Sequence, residues 1–316
     1  MAPKKREKAA IEEEPARPSK SQKKDKGKSG ALDVDSTRKA RVQKLLSDEI
    51  QSLAYPEISQ GHGEIDWPAE KGKKTPPSPP KNGSGQKESK ENVKYRDYTS
   101  PDLTPFEQLI CAILLSKPIS HQLGLRAIRT LLSSPFSLTT PTKMAEAGFE
   151  GRREALWEAR TQHKEKTATQ LGDLVDGLRK IMDSSDNNED EEEAAIDLVA
   201  VRNEAKQAKS HLEAIEKVRF LLTSNIKGLG PTGVDIFLRQ VQKQKGWESL
   251  FPFVDARGLK VAIHFGLVED SSDAEQGAKV LSKLVNKDKV KFVKLLDILI
   301  GLDLEKKSDQ VLKQVF

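Results

Sequence analysis

The chain has almost no cysteine. Cys111 is the single one in 316 residues, which excludes an internal disulfide framework and any cysteine-only metal or iron–sulfur site within one chain. The five histidines, His62, His121, His163, His211 and His264, lie far apart without ligand spacing, so no metal and no cofactor is expected. No apolar run approaches the roughly 20 residues needed to cross a bilayer, and the N-terminus has no apolar signal region. A soluble intracellular protein without membrane contact is the expectation. Strand-like alternation and internal repeats are missing as well. What the sequence does have is helical periodicity, concentrated in its last two thirds.

Charge is unevenly spread. Residues 1–100 carry 22 Lys+Arg against 16 Asp+Glu, a net +6, whereas residues 101–316 carry 31 against 32. The front third is also rich in Pro, Gly, Ser and Lys and poor in apolar runs, a composition that cannot bury enough surface to offset chain entropy. Residues 1–98 therefore read as a disordered basic tail and linker, ending in TPPSPPKNGSGQ (75–86). Its basic clusters PKKREK (3–8) and KSQKKDKGK (20–28) suit nuclear import or phosphate contact, and equally a plain solvated tail. A weak helix fits 36–50, with Val42, Leu45, Leu46 and Ile50 on one face.

From about residue 99 the pattern is helical. Thr104 suits an N-cap, Pro105 the first helical position and Glu107 a capping box, followed by the stripe Phe106, Leu109, Ile110, Ile113 and Leu114. Cys111 falls in this helix as a small packed side chain. Further helices fit 119–132, a short stretch within 139–149, and a long run ending near Met182. The segment DSSDNNEDEEE (183–193) has seven acids and no base, which favours an exposed loop and a solvated insertion. Without those acids the rest of 101–316 stands at +6, enough for a basic surface elsewhere. Helical patterning resumes at 194–222, where Leu212, Ile215, Val218 and Leu222 form the apolar face. After residue 255 come three more candidates: one following Asp255, one starting at Ser272, and one over 288–300 ending at Gly301.

Between two of these helices lies IKGLGPTGV, residues 226–234. Gly228 and Gly230 can take dihedrals closed to other residues and expose backbone N–H groups. Leu229 can pin the turn to the core, and Pro231 suits the first helical position because the donor it lacks would be unpaired there. A helix N-terminus with free amides favours an anion, and Lys227 adds positive charge. The pattern fits a hairpin that grips a nucleic-acid phosphate without reading sequence, or a helical hairpin with a glycine turn and no ligand.

Residues 99–316 resemble the helix-hairpin-helix (HhH-GPD) DNA glycosylase superfamily, which contains endonuclease III and alkyladenine glycosylases of the same fold. TPFEQLICAILLS, IKGLGPTGVDIFLR and FPFVDARGLKVAIHFGL (251–267) carry the resemblance in the family's order. It implies an all-α, two-subdomain fold and a monomer acting on double-stranded DNA in the nucleus. The backbone clamp would be Lys227, Gly228, Leu229, Gly230, Thr232 and Gly233.

Asp255 matches the family's catalytic aspartate at the mouth of the cleft, though by itself it also suits a helix N-cap. Breaking a base–sugar bond builds positive charge on the sugar, which a fixed carboxylate stabilises, and the nucleotide must first leave the stack. Thr232 stands where bifunctional members carry a nucleophilic lysine, so a monofunctional enzyme without lyase chemistry is implied. Where many members have a wedge glutamine this chain has Lys117 and Pro118, with His121 and Gln122 close behind. The four-cysteine cluster loop is absent, and 183–211 looks inserted. These departures also fit a non-catalytic DNA-binding or scaffold protein on the same fold. The acidic loop and N-terminal tail are the candidate contacts for a protein partner.

Overall fold

A computed structural model describes residues 28–56, 95–183 and 191–315. Every regular element among them is a helix, apart from a short 3-10 turn at Glu248–Leu250, and none is a strand. The two basic clusters and the Pro-rich linker lie wholly or almost wholly outside these residues, as does 184–190 of the acidic run.

The helices are α1 (Lys28–Leu45), α2 (Asp48–Ala54), α3 (Pro105–Leu115), α4 (His121–Leu132), α5 (Pro141–Glu146), α6 (Gly148–Glu158), α7 (Lys164–Asp183) and α8 (Glu191–Ile196). They continue as α9 (Val199–Lys206), α10 (His211–Asn225), α11 (Pro231–Val241), α12 (Ala256–His264), α13 (Ala274–Leu284), α14 (Lys289–Leu304) and α15 (Ser308–Val315).

Helix α3 is the centre of the packing, against α4 and α11. Its start follows the expected chemistry: the Thr104 hydroxyl accepts from the Glu107 amide at 3.2 Å and Glu107 accepts from the Thr104 amide at 2.8 Å. Its burial exceeds a single stripe, since every residue from Pro105 to Leu114 is buried. A helix that is apolar nearly all round has to be enclosed. The one buried charge, Glu107, is matched by Arg96 at 2.6 Å.

Residues 28–56 correct the expected domain boundary at 99. Val42, Leu45, Ile50, Ala54 and Tyr55 are buried in the common core, and α1 and α2 pack on α13, α14 and α15. The apolar residues of this stretch are too few to fold alone, but they complete a surface supplied by the far end of the chain. Gly301 shows how closely. It does not end α14, as expected, but lies inside it where α2 terminates. A Cβ there would stand 2.8 Å from the Ala54 carbonyl oxygen and 2.9 Å from the Ala54 Cβ. Gly301→Ala is therefore expected to destabilise the fold by about 1–3 kcal/mol, read as a lower urea midpoint. A midpoint equal to the wild type would mean that α2 does not pack there.

Other boundaries moved for local reasons. Leu212 is exposed, because α10 turns Ala214, Ile215, Val218 and Leu222 to the core. Helix α13 is capped by Asp273, not Ser272; its carboxylate accepts from Gln276 N at 2.8 Å. The end of the acidic run is not loop, since Glu191 to Glu193 open α8, and the helical stretch expected from 194 follows, with Ala194, Ala195, Leu198, Val199, Val201 and Ala205 buried.

Helices fall into two neighbourhoods. One comprises α3 to α11. The other joins α1 and α2 to α12 through α15, and α11 touches α14 between them.

Candidate functional site

The hairpin turn lies between α10 and α11. Ile226 and Leu229 are buried beneath it, and the Leu229 amide donates to the Ile226 carbonyl at 3.2 Å. Gly228 has φ +85°, a left-handed conformation that disfavours side chains, and a Cβ there would collide with the Gln170 amide. Gly230 corrects the expectation of two such glycines. Its φ of −94° is open to any residue, and a Cβ would meet nothing within 4 Å. Gly230 caps α11 without a side chain, Pro231 occupies the first turn, and the amides of Gly228, Gly230, Thr232 and Gly233 donate no hydrogen bond among the described residues. Four donors thus stand open at a helix N-terminus.

A cavity of about 500 Å³ opens beside this turn. Gly228, Gly230, Thr232 and Gly233 form one wall, Lys117 and Pro118 another, and His163, Lys166 and Gln170 from the start of α7 a third. Among the described residues no carboxylate lines it. The Lys117 ammonium bonds to the Gln170 side chain, which lies over Gly228. Burial lowers the Lys117 pKa, and the nearby Lys166 charge lowers it further. Two lysines facing one space with no carboxylate among the described lining residues suit an anionic ligand.

A second cavity of about 490 Å³ adjoins the first, and Ser116, Lys117, Ile119 and Thr232 line both. Its walls come from both helical neighbourhoods. Asp255, Asp235, Arg239 and Asp297 are its charged floor, with Tyr55, Tyr98 and His121 as its aromatic sides. Asp255 is the N-cap of α12, accepting from the Gly258 amide at 2.6 Å. It is 8% exposed and its other oxygen is paired with Arg239 Nη1. The capping role and the position in a cleft therefore hold together in one residue.

Arg239 is buried. Burial alone would lower its pKa, but Asp255, Tyr98 and Asp297 reverse this and hold the guanidinium well above its ordinary value. Gln240 Nε2 lies 2.6 and 2.7 Å from the two Asp297 oxygens, and the Tyr98 hydroxyl donates to Asp297 at 3.0 Å. One guanidinium thus serves a connected set of buried acceptors.

Comparison of the chain with protein-family models, with curated proteins and with solved structures finds no match.

The structure brings most of the sequence-derived residues together. Gly228, Gly230, Thr232, Gly233, Lys117 and Pro118 line the first cavity; Asp255, Thr232, Lys117 and His121 line the second. Leu229 lies beneath the turn as a buried anchor. Lys227 is exposed and lines neither cavity, and Gln122 is likewise outside both, its amide donating to Glu305 at 2.8 Å. Asp235, Arg239, Asp297, Tyr55, Tyr98, Lys166 and Gln170 were missed. A signal existed for the first two: Asp235 and Arg239 interrupt the apolar run VDIFLRQV at i, i+4 spacing. The others come from distant segments.

His121 is held by Glu305, with Nδ1 at 2.9 Å from the carboxylate. Burial is the larger influence and lowers its pKa from 6.5 despite that partner, so the ring is neutral at pH 7 and Nδ1–H donates. A histidine whose folded pKa lies below its unfolded value supports the fold fully above pH 6.5 and loses that support as pH falls through the folded value. His121→Gln is expected to flatten this limb of stability against pH. A limb unchanged in the variant would assign it to other groups.

Proposed function

We propose that this protein is a DNA N-glycosylase that hydrolyses the bond between a flipped base and its sugar, acting as a monomer in the nucleus. One observation carries the reading. The cationic cavity at the hairpin amides and the cleft floored by Asp255 adjoin and share four residues. A strand whose phosphate meets the open amides, with Lys117 and Lys166 nearby, would have its next sugar and base at the second cavity. The open donors and lysines suit the phosphate, and a carboxylate-rich floor suits the positive charge that grows on the sugar. The resemblance of residues 99–316 to the helix-hairpin-helix glycosylases, and the division of the helices into two neighbourhoods with a cleft between, agree with this reading.

Thr232 lines both cavities where a bifunctional enzyme would need an amine, so base release should leave an intact abasic strand. The test is a panel of duplexes, each with one damaged or mispaired base, incubated with protein and then treated with alkali. Alkali-dependent strand cleavage on at least one duplex is expected, with no borohydride-trapped adduct.

A second reading has its own support. Both oxygens of Asp255 are engaged, which fits a protein that binds DNA without cutting the glycosidic bond. That reading predicts salt-sensitive duplex binding through counterion release and no abasic product from any member of the panel.

A further inference from the structure

The cleft holds its carboxylates in opposite ways. Asp255 has both oxygens occupied, Oδ1 by the Gly258 amide and Oδ2 by Arg239. Asp235 lies on α11, three residues after Thr232 and four before Arg239, and lines the same cavity. Its Oδ1 accepts from Arg219 Nε at 3.1 Å and Nη2 at 2.7 Å, a two-point hold from α10 across the hairpin. Its Oδ2 accepts no hydrogen bond among the described residues, and its side chain is 26% exposed. A water entering the cleft meets an unpartnered carboxylate oxygen on Asp235, whereas each oxygen of Asp255 already accepts a hydrogen bond.

The surroundings give that acceptor basic strength. Burial raises the Asp235 pKa most, Arg219 opposes it, Asp255 raises it again and Arg239 lowers it, leaving the group above its ordinary value. Lys117, His121, Arg257, Asp297, Tyr55 and Tyr98 are the remaining titratable groups on the cleft walls. Two carboxylates whose environments differ in this way can divide the work between a fixed charge and a proton acceptor.

We propose that Asp235 is the general base of this cleft and that Asp255, held by Arg239 and the Gly258 amide, serves as its fixed carboxylate. The proposal rests on the glycosylase reading. In the step, the water oxygen bonds to the anomeric carbon of the sugar as the carbon–nitrogen bond breaks, and that bond's electron pair stays on the leaving base. The proton lost by the water goes to Asp235 Oδ2. The base takes a proton from solvent and Asp235 later returns its own, so atoms and charge balance over the cycle.

Single-turnover base release, followed against pH on the best duplex of the lesion panel, tests it. The wild-type rate is expected to fall as pH drops through the raised Asp235 pKa. Asp235→Asn should lose this acid limb and about 10²-fold or more in rate, with duplex affinity unchanged, and Asp235→Glu should restore part of both. Asp255→Asn should be slow yet keep the acid limb. Should Asp235→Asn fold poorly because Arg219 loses one of its two carboxylate partners, the double variant Arg219→Gln/Asp235→Asn removes both charges and should behave the same. Wild-type rate and an unchanged acid limb in the Asn variants would overturn the assignment while leaving the glycosylase reading intact. No turnover by the wild type on any lesion overturns both.

Discussion

Arg239→Met is expected to cost about 3–5 kcal/mol of stability, the range for breaking a buried ion pair by removing one partner, and to lower Tm by roughly 10 °C. The cause is what the substitution leaves behind. Asp255 and Asp297 would remain in the cleft floor without the guanidinium that pairs with both, and Tyr98 would lose a neighbour 3.5 Å away. Methionine fills a similar volume, so the loss is electrostatic and not a cavity. Arg239→Lys keeps the charge without the planar fork and should recover only part of the loss. Chemical denaturation of both variants reads this. A deficit below about 1 kcal/mol for Arg239→Met would show that the network does not bear on the fold.

Asp255→Asn is expected to reduce base release by about 10²–10³-fold, the scale seen when a preorganised electrostatic group is removed from an active site. Asparagine still caps α12, because its amide oxygen can accept from Gly258 as the carboxylate does. The change therefore isolates the charge from the cap. Arg239 keeps Asp297 as a partner at 3.4 Å, which limits the loss of stability. Duplex affinity, which the proposed function assigns to the hairpin and the lysines of the first cavity, should be nearly unchanged. Undiminished base release would remove Asp255 from the chemistry. Equal loss of binding and release would mean that the variant has disturbed the cleft as a whole.

How much of the site the sequence reveals depends on how far apart its parts lie along the chain. The hairpin was readable as a unit because a glycine turn, a buried leucine and a proline at the first helical position are consecutive, and each acts through its own backbone. The Thr104–Glu107 capping box was readable for the same reason. Asp255 was found by its place in an order of motifs, yet its pairing was hidden, since Arg239 lies 16 residues earlier on another helix. Asp235 and Arg239 stood out only as charges breaking an apolar run, a pattern that does not say which way either faces.

The expected boundary at residue 99 failed through a related limit. Residues 28–56 look too sparse in apolar side chains to fold, and alone they would be. Their burial is supplied by α13 to α15, more than two hundred residues further on, and the glycine that admits α2 looked like a helix stop.

By itself, the sequence determined the helical class, the Thr104 and Asp255 caps, the hairpin and the scarcity of cysteine, because each of these is a local matter of periodicity, backbone freedom or composition. Only the tertiary structure decided that the first helices belong to the core, that two cavities meet at Ser116, Lys117, Ile119 and Thr232, and that one carboxylate is locked while its neighbour is open. Those outcomes depend on which distant side chains share a small volume, and on whether burial or a partner charge prevails there.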